Sequence, residues 1–215
     1  MQARHLQFAA GALLIAAAAF YAGYRAAPAP SPVRSMPTVP AIVWPPPPPL
    51  EPFSLTDSTG QPLGPERLRG HWTLLFFGYT HCPDICPTTL ATLKEAAEAL
   101  AGSAAFKARG QVLFVSVDGA RDTPERLAAY TAHFNPAFLA ASGSERDLHH
   151  LARQFGARIV RVSGDDAHEY WFDHPASVLM LDPDTRVSAE FTPPLDATDI
   201  ARQARAIIDY FDPAQ

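Results

Sequence analysis

The ten residues Gly78-Tyr79-Thr80-His81-Cys82-Pro83-Asp84-Ile85-Cys86-Pro87 constrain this chain most. They join an apolar run to a helical pattern, and they contain both of its cysteines. Residues 72–79 (Trp-Thr-Leu-Leu-Phe-Phe-Gly-Tyr) are almost wholly apolar, as a strand covered on both faces should be. Downstream, Leu90, Leu93, Ala97 and Leu100 recur at helical spacing and predict a helix over 87–101. Pro87 suits the first helical position, where its missing N–H is no loss. Cys86 is then expected at the cap and Cys82 in the loop above it. Both sulfurs would lie near the positive end of the helix dipole, which favours thiolate.

The remaining pattern alternates. An N-terminal hairpin is predicted around Phe53-Ser54-Leu55, the turn 57–61 and Pro62-Leu63. A second buried strand covers 112–117 and ends at Asp118. Asp122 can then cap a helix, with Glu125 three residues on completing a capping box and Leu127, Tyr130 and Phe134 as its apolar stripe. A short strand at 138–141 follows, then a helix opening at Ser144 with Leu148, Leu151 and Phe155 inward. Strands are predicted at 159–162, 169–172, 178–181 and 187–191, with a turn at 182–185 and a last helix capped by Asp196. This order gives an α/β fold: a central mixed sheet with helices on both faces.

Composition divides the 215 residues into three parts: a membrane anchor at 1–27, a proline-rich linker at 28–50 and a globular domain at 51–215. Residues 6–24 are apolar and uncharged, and about 19 residues can just span a bilayer. A cleavable signal peptide is the competing reading, but its apolar core is usually about 7–15 residues. The best cleavage match, Ala27-Pro28-Ala29, is followed by Pro30. An uncleaved single-pass anchor is expected, with the soluble domain in the periplasm outside a bacterial inner membrane. Residues 28–49 hold ten prolines, five of them consecutive. Such a tract is a stiff polyproline II spacer reaching about 70 Å when fully extended. A net charge of −5 leaves no basic patch for nucleic acid.

Two cysteines exclude four-cysteine zinc sites and iron–sulfur clusters. One pair in an exported domain is ordinarily a structural disulfide. Two intervening residues would give the usual disulfide-exchange turn. The three found here separate the sulfurs by about one helical turn, which permits a disulfide and also leaves room for an ion. Two thiolates alone make a marginal site, and an imidazole would complete a set suited to Cu(I) or Zn(II). Of the eight histidines, His5 flanks the anchor, and His71, His133, His149, His150 and His168 read as surface residues. His81 adjoins Cys82, but its backbone position can turn it away from the sulfurs. His174 stands directly before the strand at 176–181, whose end can lie beside the cysteine turn. A peroxiredoxin-like peroxidase would need Thr or Ser three residues before the reactive cysteine, where Tyr79 stands.

The cysteine motif, Val117-Asp118 followed by Arg121-Asp122-Thr123-Pro124, and Asp173-His174 together resemble the Sco/SenC family of copper-handling proteins. The resemblance runs from about Phe53 to Phe211, and it implies a thioredoxin-like fold. It implies that Cys82, Cys86 and His174 bind copper, as Cu(I) and potentially Cu(II). It also implies a role in assembling the CuA centre of cytochrome c oxidase, with subunit II of the oxidase, a copper donor protein and a thiol reductant as partners. Asp173 would orient His174 or meet a partner. The alternative function is a thiol–disulfide oxidoreductase that uses the same two cysteines on the oxidase. The chain departs from the family pattern at Gly119-Ala120, where Pro-Glu is usual, at Pro175, where a small polar residue is common, and at Thr185, where glycine is usual. By analogy with the proline that faces the cysteines in thioredoxins, a cis His174–Pro175 bond is expected.

Overall fold

The computed structural model describes residues 19–21, 25, 38–43, 48–164 and 169–212. The chain divides into two units, Met1–Ser35 and Met36–Gln215. In the first, residues 19–21 and 25 are helical. The rest of the anchor expected over 6–24 lies outside the described residues, as do much of the proline tract and His168. Among the described residues, no helix is long and apolar enough to cross a membrane.

The second unit is built on an eight-stranded mixed sheet. Its strands are β1 (Ile42–Val43), β2 (Leu55–Asp57), β3 (Pro62–Leu63), β4 (Trp72–Gly78), β5 (Gly110–Ser116), β6 (Leu139–Ser142), β9 (Val178–Leu181) and β10 (Val187–Phe191). They lie in the order β1-β10-β9-β4-β5-β6-β2-β3. The three central strands β4, β5 and β6 are parallel, while β9 runs antiparallel to β4. The two remaining strands, β7 (Val160–Ser163) and β8 (Tyr170–Asp173), form a separate antiparallel ribbon. The expected hairpin is β2–β3. Two residues inside the proline-rich segment also join the sheet, where β1 pairs with the edge of β10.

Every residue of β4 is buried. Because a strand alternates its side chains between faces, β4 feeds two cores. Trp72, Leu74 and Phe76 join one core, with α1 (Ile85–Leu100), α2 (Ala104–Arg109), α3 (Pro124–Ala132) and α5 (Ala197–Phe211). Leu75, Phe77 and Tyr79 join the other, beneath α4 (Glu145–Gln154). Helices therefore cover both faces, as the alternating pattern requires. The short helix α2, with Phe106 buried, has no counterpart in the sequence reading. Its six residues are too few to show a periodic stripe.

Capping agrees with the sequence at Ser144 and Asp196, whose side chains accept from the backbone N–H groups of Asp147 and Asp199. It differs at α3. There Thr123 is the cap, accepting from Arg126 N–H, with Pro124 directly after it. Asp122 is drawn inward to other partners, described below.

The turn between β9 and β10 strains its last residue. Thr185 adopts φ +63°, a left-handed conformation that strains a β-branched residue. It is also fully buried, and its hydroxyl has no hydrogen-bond partner. Left-handed strain costs about 1–3 kcal/mol, and the added chain entropy of glycine costs roughly 0.5–1 kcal/mol. Thr185→Gly is therefore expected to stabilise the domain by about 1 kcal/mol in denaturant unfolding. A lower midpoint would show that the threonine packs better than it strains.

Candidate metal centre

Topology brings the cysteine turn and His174 together. The turn follows the C-terminal end of β4. Since β9 is antiparallel to β4, its N-terminal end lies at the same end of the sheet, with Val178 opposite Phe76. His174 is four residues before Val178 and so reaches the crevice beyond the strand ends, where open α/β sheets usually place their sites.

The cysteine turn departs from expectation in one respect. Helix α1 begins at Ile85 with Asp84 at its cap, so Cys86 lies in the first turn and Pro87 is the third helical residue, two positions later than predicted. The proline still replaces one of the first N–H groups, which lack helical partners in any case. Cys86 consequently points into the core and is fully buried, whereas Cys82 in the loop is partly exposed. Burial, the largest influence, pushes the Cys86 thiol well above its ordinary pKa, and the neighbouring Cys82 adds to the rise. For Cys86, desolvation therefore outweighs the helix dipole. Gly78 makes this packing possible. A Cβ at that position would lie 2.9 Å from Cys86 Sγ and 2.7 Å from the Phe114 ring.

His174 approaches from the other side, with its Nε2 3.6 Å from Cys86 Sγ. The ring is held edge-on between Phe76 and Tyr79, at centroid distances of 6.0 and 5.7 Å. Its Nδ1 is 3.0 Å from the Pro175 carbonyl oxygen, which can only accept. The proton therefore sits on Nδ1, and the Nε2 lone pair faces the sulfurs. Burial holds the imidazole pKa below its usual value; the Pro175 carbonyl and Asp173 oppose that shift. The ring is thus neutral at pH 7 and able to act as a ligand.

The expected cis His174–Pro175 bond is not found. The cis bond among the described residues is Pro193–Pro194, and His174–Pro175 is trans. The surface that would meet the sulfurs is supplied by the imidazole rather than by a proline ring, so the ordinary trans preference stands.

Cys82, Cys86 and His174 each offer a donor atom, and all three atoms lie within 4.8 Å of one another. Two thiol sulfurs and one imidazole nitrogen form a soft donor set, which discriminates against Mg(II) and Ca(II). His81 is not part of it. Its Nε2 lies 3.0 Å from an Arg126 guanidinium nitrogen and its Nδ1 3.7 Å from Asp122. Asp122 and Asp118 are buried partners of the loops around the centre, a role that the sequence reading missed. Only their places in Val117-Asp118 and in the Arg121-Asp122-Thr123-Pro124 segment could have pointed to it.

Gly78→Ala is expected to displace either Cys86 Sγ or the Phe114 ring. Overpacking of this kind costs about 1–3 kcal/mol, measurable by thermal unfolding together with the reactivity of Cys86 towards a thiol reagent. Unchanged stability and reactivity would mean that the core yields without moving the sulfur.

The SCO1/SenC family model matches residues 46–209. An SCO2-like protein of Rickettsia prowazekii is 35% identical over 150 residues, which is 69% of this chain and 72% of that protein. Among solved structures, Bradyrhizobium japonicum ScoI with copper bound is 32% identical, with a TM-score of 0.64 over 72% of this chain and 96% of the other. Arabidopsis thaliana ScoI with copper bound is 27% identical, with a TM-score of 0.69 over 74% of this chain and 98% of the other. With the sheet, the cysteine turn and the histidine strand all in place, the match across 46–209 establishes that the chain belongs to the SCO1/SenC family.

Proposed function

We propose that this protein is a membrane-tethered copper chaperone. Reduced Cys82 and Cys86 and the imidazole of His174 take up Cu(I). The ion is then handed to the CuA site of cytochrome c oxidase subunit II during assembly. The observation that carries the reading is the convergence of two sulfurs and one imidazole nitrogen within 4.8 Å. The copper bound in the ScoI structures supports the choice of metal. The apolar segment at 6–24 supports tethering to a bacterial inner membrane, with the domain on the periplasmic side.

The arrangement suits a carrier. The imidazole is oriented before the ion arrives, so little reorganisation opposes uptake. Cys82 is partly exposed, so a thiol of an acceptor can approach and replace the ligands one at a time. Uptake from a donor protein runs the same exchange in reverse. The thiols must be reduced first, because a disulfide offers no thiolate. A thiol reductant is therefore a required partner in an oxidising compartment.

A second reading rests on the unequal exposure of the two thiols, one accessible and its neighbour buried. Cys82 as thiolate could attack a disulfide of the oxidase subunit, and Cys86 would then displace the reduced target as the pair itself becomes oxidised. His174→Ala separates the two readings. The chaperone reading expects Cu(I) affinity to fall by roughly 100-fold, at or beyond the upper end of what losing an outer-shell partner costs. Thiol exchange would stay intact. The measurement is competition of the reduced protein against a chromophoric Cu(I) chelator. Unchanged affinity would remove the third ligand and leave the reductase reading.

pH supplies a further expectation. The buried Cys86 keeps its proton through the neutral range, so Cu(I) must displace it. Affinity should therefore rise with pH, with up to about two protons released per ion from the two thiols. The imidazole pKa is lowered, so protons compete for His174 only in more acid solution. Calorimetry in buffers of different ionisation enthalpy counts the protons released; none released at pH 7 would contradict binding by thiols.

A further inference from the structure

The loop at 117–123, which joins β5 to α3, carries two almost fully buried carboxylates, Asp118 and Asp122. Neither belongs to the donor set. Each holds a different element, and both of those elements lead to the metal centre.

Asp122 holds the cysteine loop. Its Oδ2 accepts from Thr80 N–H at 2.8 Å and from the Ser116 hydroxyl at 2.6 Å, while its Oδ1 accepts from the Thr80 hydroxyl at 2.6 Å. Thr80 is two residues before Cys82. Asp118 holds the histidine ribbon. It accepts from the Tyr170 hydroxyl at 3.1 Å and pairs with the Arg121 side chain. Arg121 in turn donates to the Tyr170 carbonyl at 3.3 Å. The guanidinium carbons of Arg121 and Arg161 lie 3.7 and 3.8 Å from the centroid of the Tyr170 ring. Two cations that close to one ring must occupy its opposite faces. Tyr170 opens β8, which runs directly to Asp173 and His174.

We propose that the 117–123 loop is a positioning element that sets the separation between the thiols and the imidazole. Asp122 acts on the sulfurs through Thr80, and Asp118 acts on His174 through Tyr170. The inference rests on the metal-binding reading above and adds to it the residues that fix its geometry. Both carboxylates are buried and accept charge-assisted hydrogen bonds, which are stronger than neutral ones. They also sit on a single short loop, which gives the two grips a common anchor. Among the described residues, the β7–β8 ribbon is a separate two-stranded sheet, without ladder partners in the main sheet. Its registration therefore depends on such side-chain contacts.

Removing a buried carboxylate endangers the fold, so the test removes one hydroxyl from each partner instead. Tyr170→Phe keeps the ring between its two guanidinium groups; Thr80→Val keeps the side-chain volume. Cu(I) affinity is measured by chelator competition, in the unaltered protein and in a His174→Ala background. The alkylation rate of Cys82 by iodoacetamide is measured in metal-free, reduced protein. Tyr170→Phe should weaken Cu(I) binding about 10-fold, as outer-shell losses do. It should have less than about a 2-fold effect once His174 is gone, and it should leave alkylation unchanged. Thr80→Val should weaken binding in both backgrounds and alter the alkylation rate. Equal effects of Tyr170→Phe in both backgrounds would reveal a merely structural role and overturn the inference. So would Cu(I) affinities for both variants that match the unaltered protein. Absence of Cu(I) uptake by the unaltered protein is a separate result: it defeats the metal-binding reading, and the inference falls with it.

Discussion

The antiparallel pairing of β9 with β4 is the constraint on which the rest of the structure depends. The donor groups of Cys86 and His174 are 88 positions apart in the chain. They meet because one strand ends where the other begins. All seven residues of β4 and all four of β9 are buried, so both strands are fixed by apolar contact on both faces. Slipping the register by one residue would turn every one of these side chains to the opposite face. The position of the imidazole is therefore specified as firmly as the core.

Within that frame, the two ends of the cysteine turn experience different physics. Cys86 lies in the first turn of a helix, where the dipole favours thiolate, yet it is packed against Gly78 and cut off from water. Desolvation is the larger effect, and the thiol keeps its proton until something replaces it. A buried thiol facing a neutral imidazole is inert on its own, and it could serve as a ligand only where an incoming cation took the place of its proton. The same burial that lowers the basicity of His174 keeps the ring neutral, so its Nε2 lone pair stays free of a proton.

Much of this was legible in the sequence. The strands β9 and β10 and the caps at Ser144 and Asp196 follow from periodicity and local turn chemistry. The cysteine turn was recognisable because its residue types are specific and contiguous. His174 was a reasonable candidate from its place before a strand, and its role was implied by family resemblance rather than by spacing. What was not legible is mostly non-local. The separation of β7–β8 into its own ribbon depends on which strands find partners. The inward turn of Asp122 depends on Thr80, 42 positions earlier, which competes successfully against a local capping pattern. The start of α1 at Ile85 shows that a proline in the first turn marks a helix boundary only to within a residue or two.

The pairing of Ile42 and Val43 with β10 concerns a stretch that composition alone would assign to a spacer. Those two residues cover the outer edge of the sheet, and Ala41 N–H is bound by Gln203 from the last helix. The stretch recognisable as family begins only at residue 46. A chain shortened to that point would keep Cys82, Cys86 and His174 but leave β10 uncovered at Ala189 and Glu190. An uncovered rim of that kind is a template for other strands, so losing the few residues ahead of the recognisable domain would open the sheet to edge-to-edge pairing.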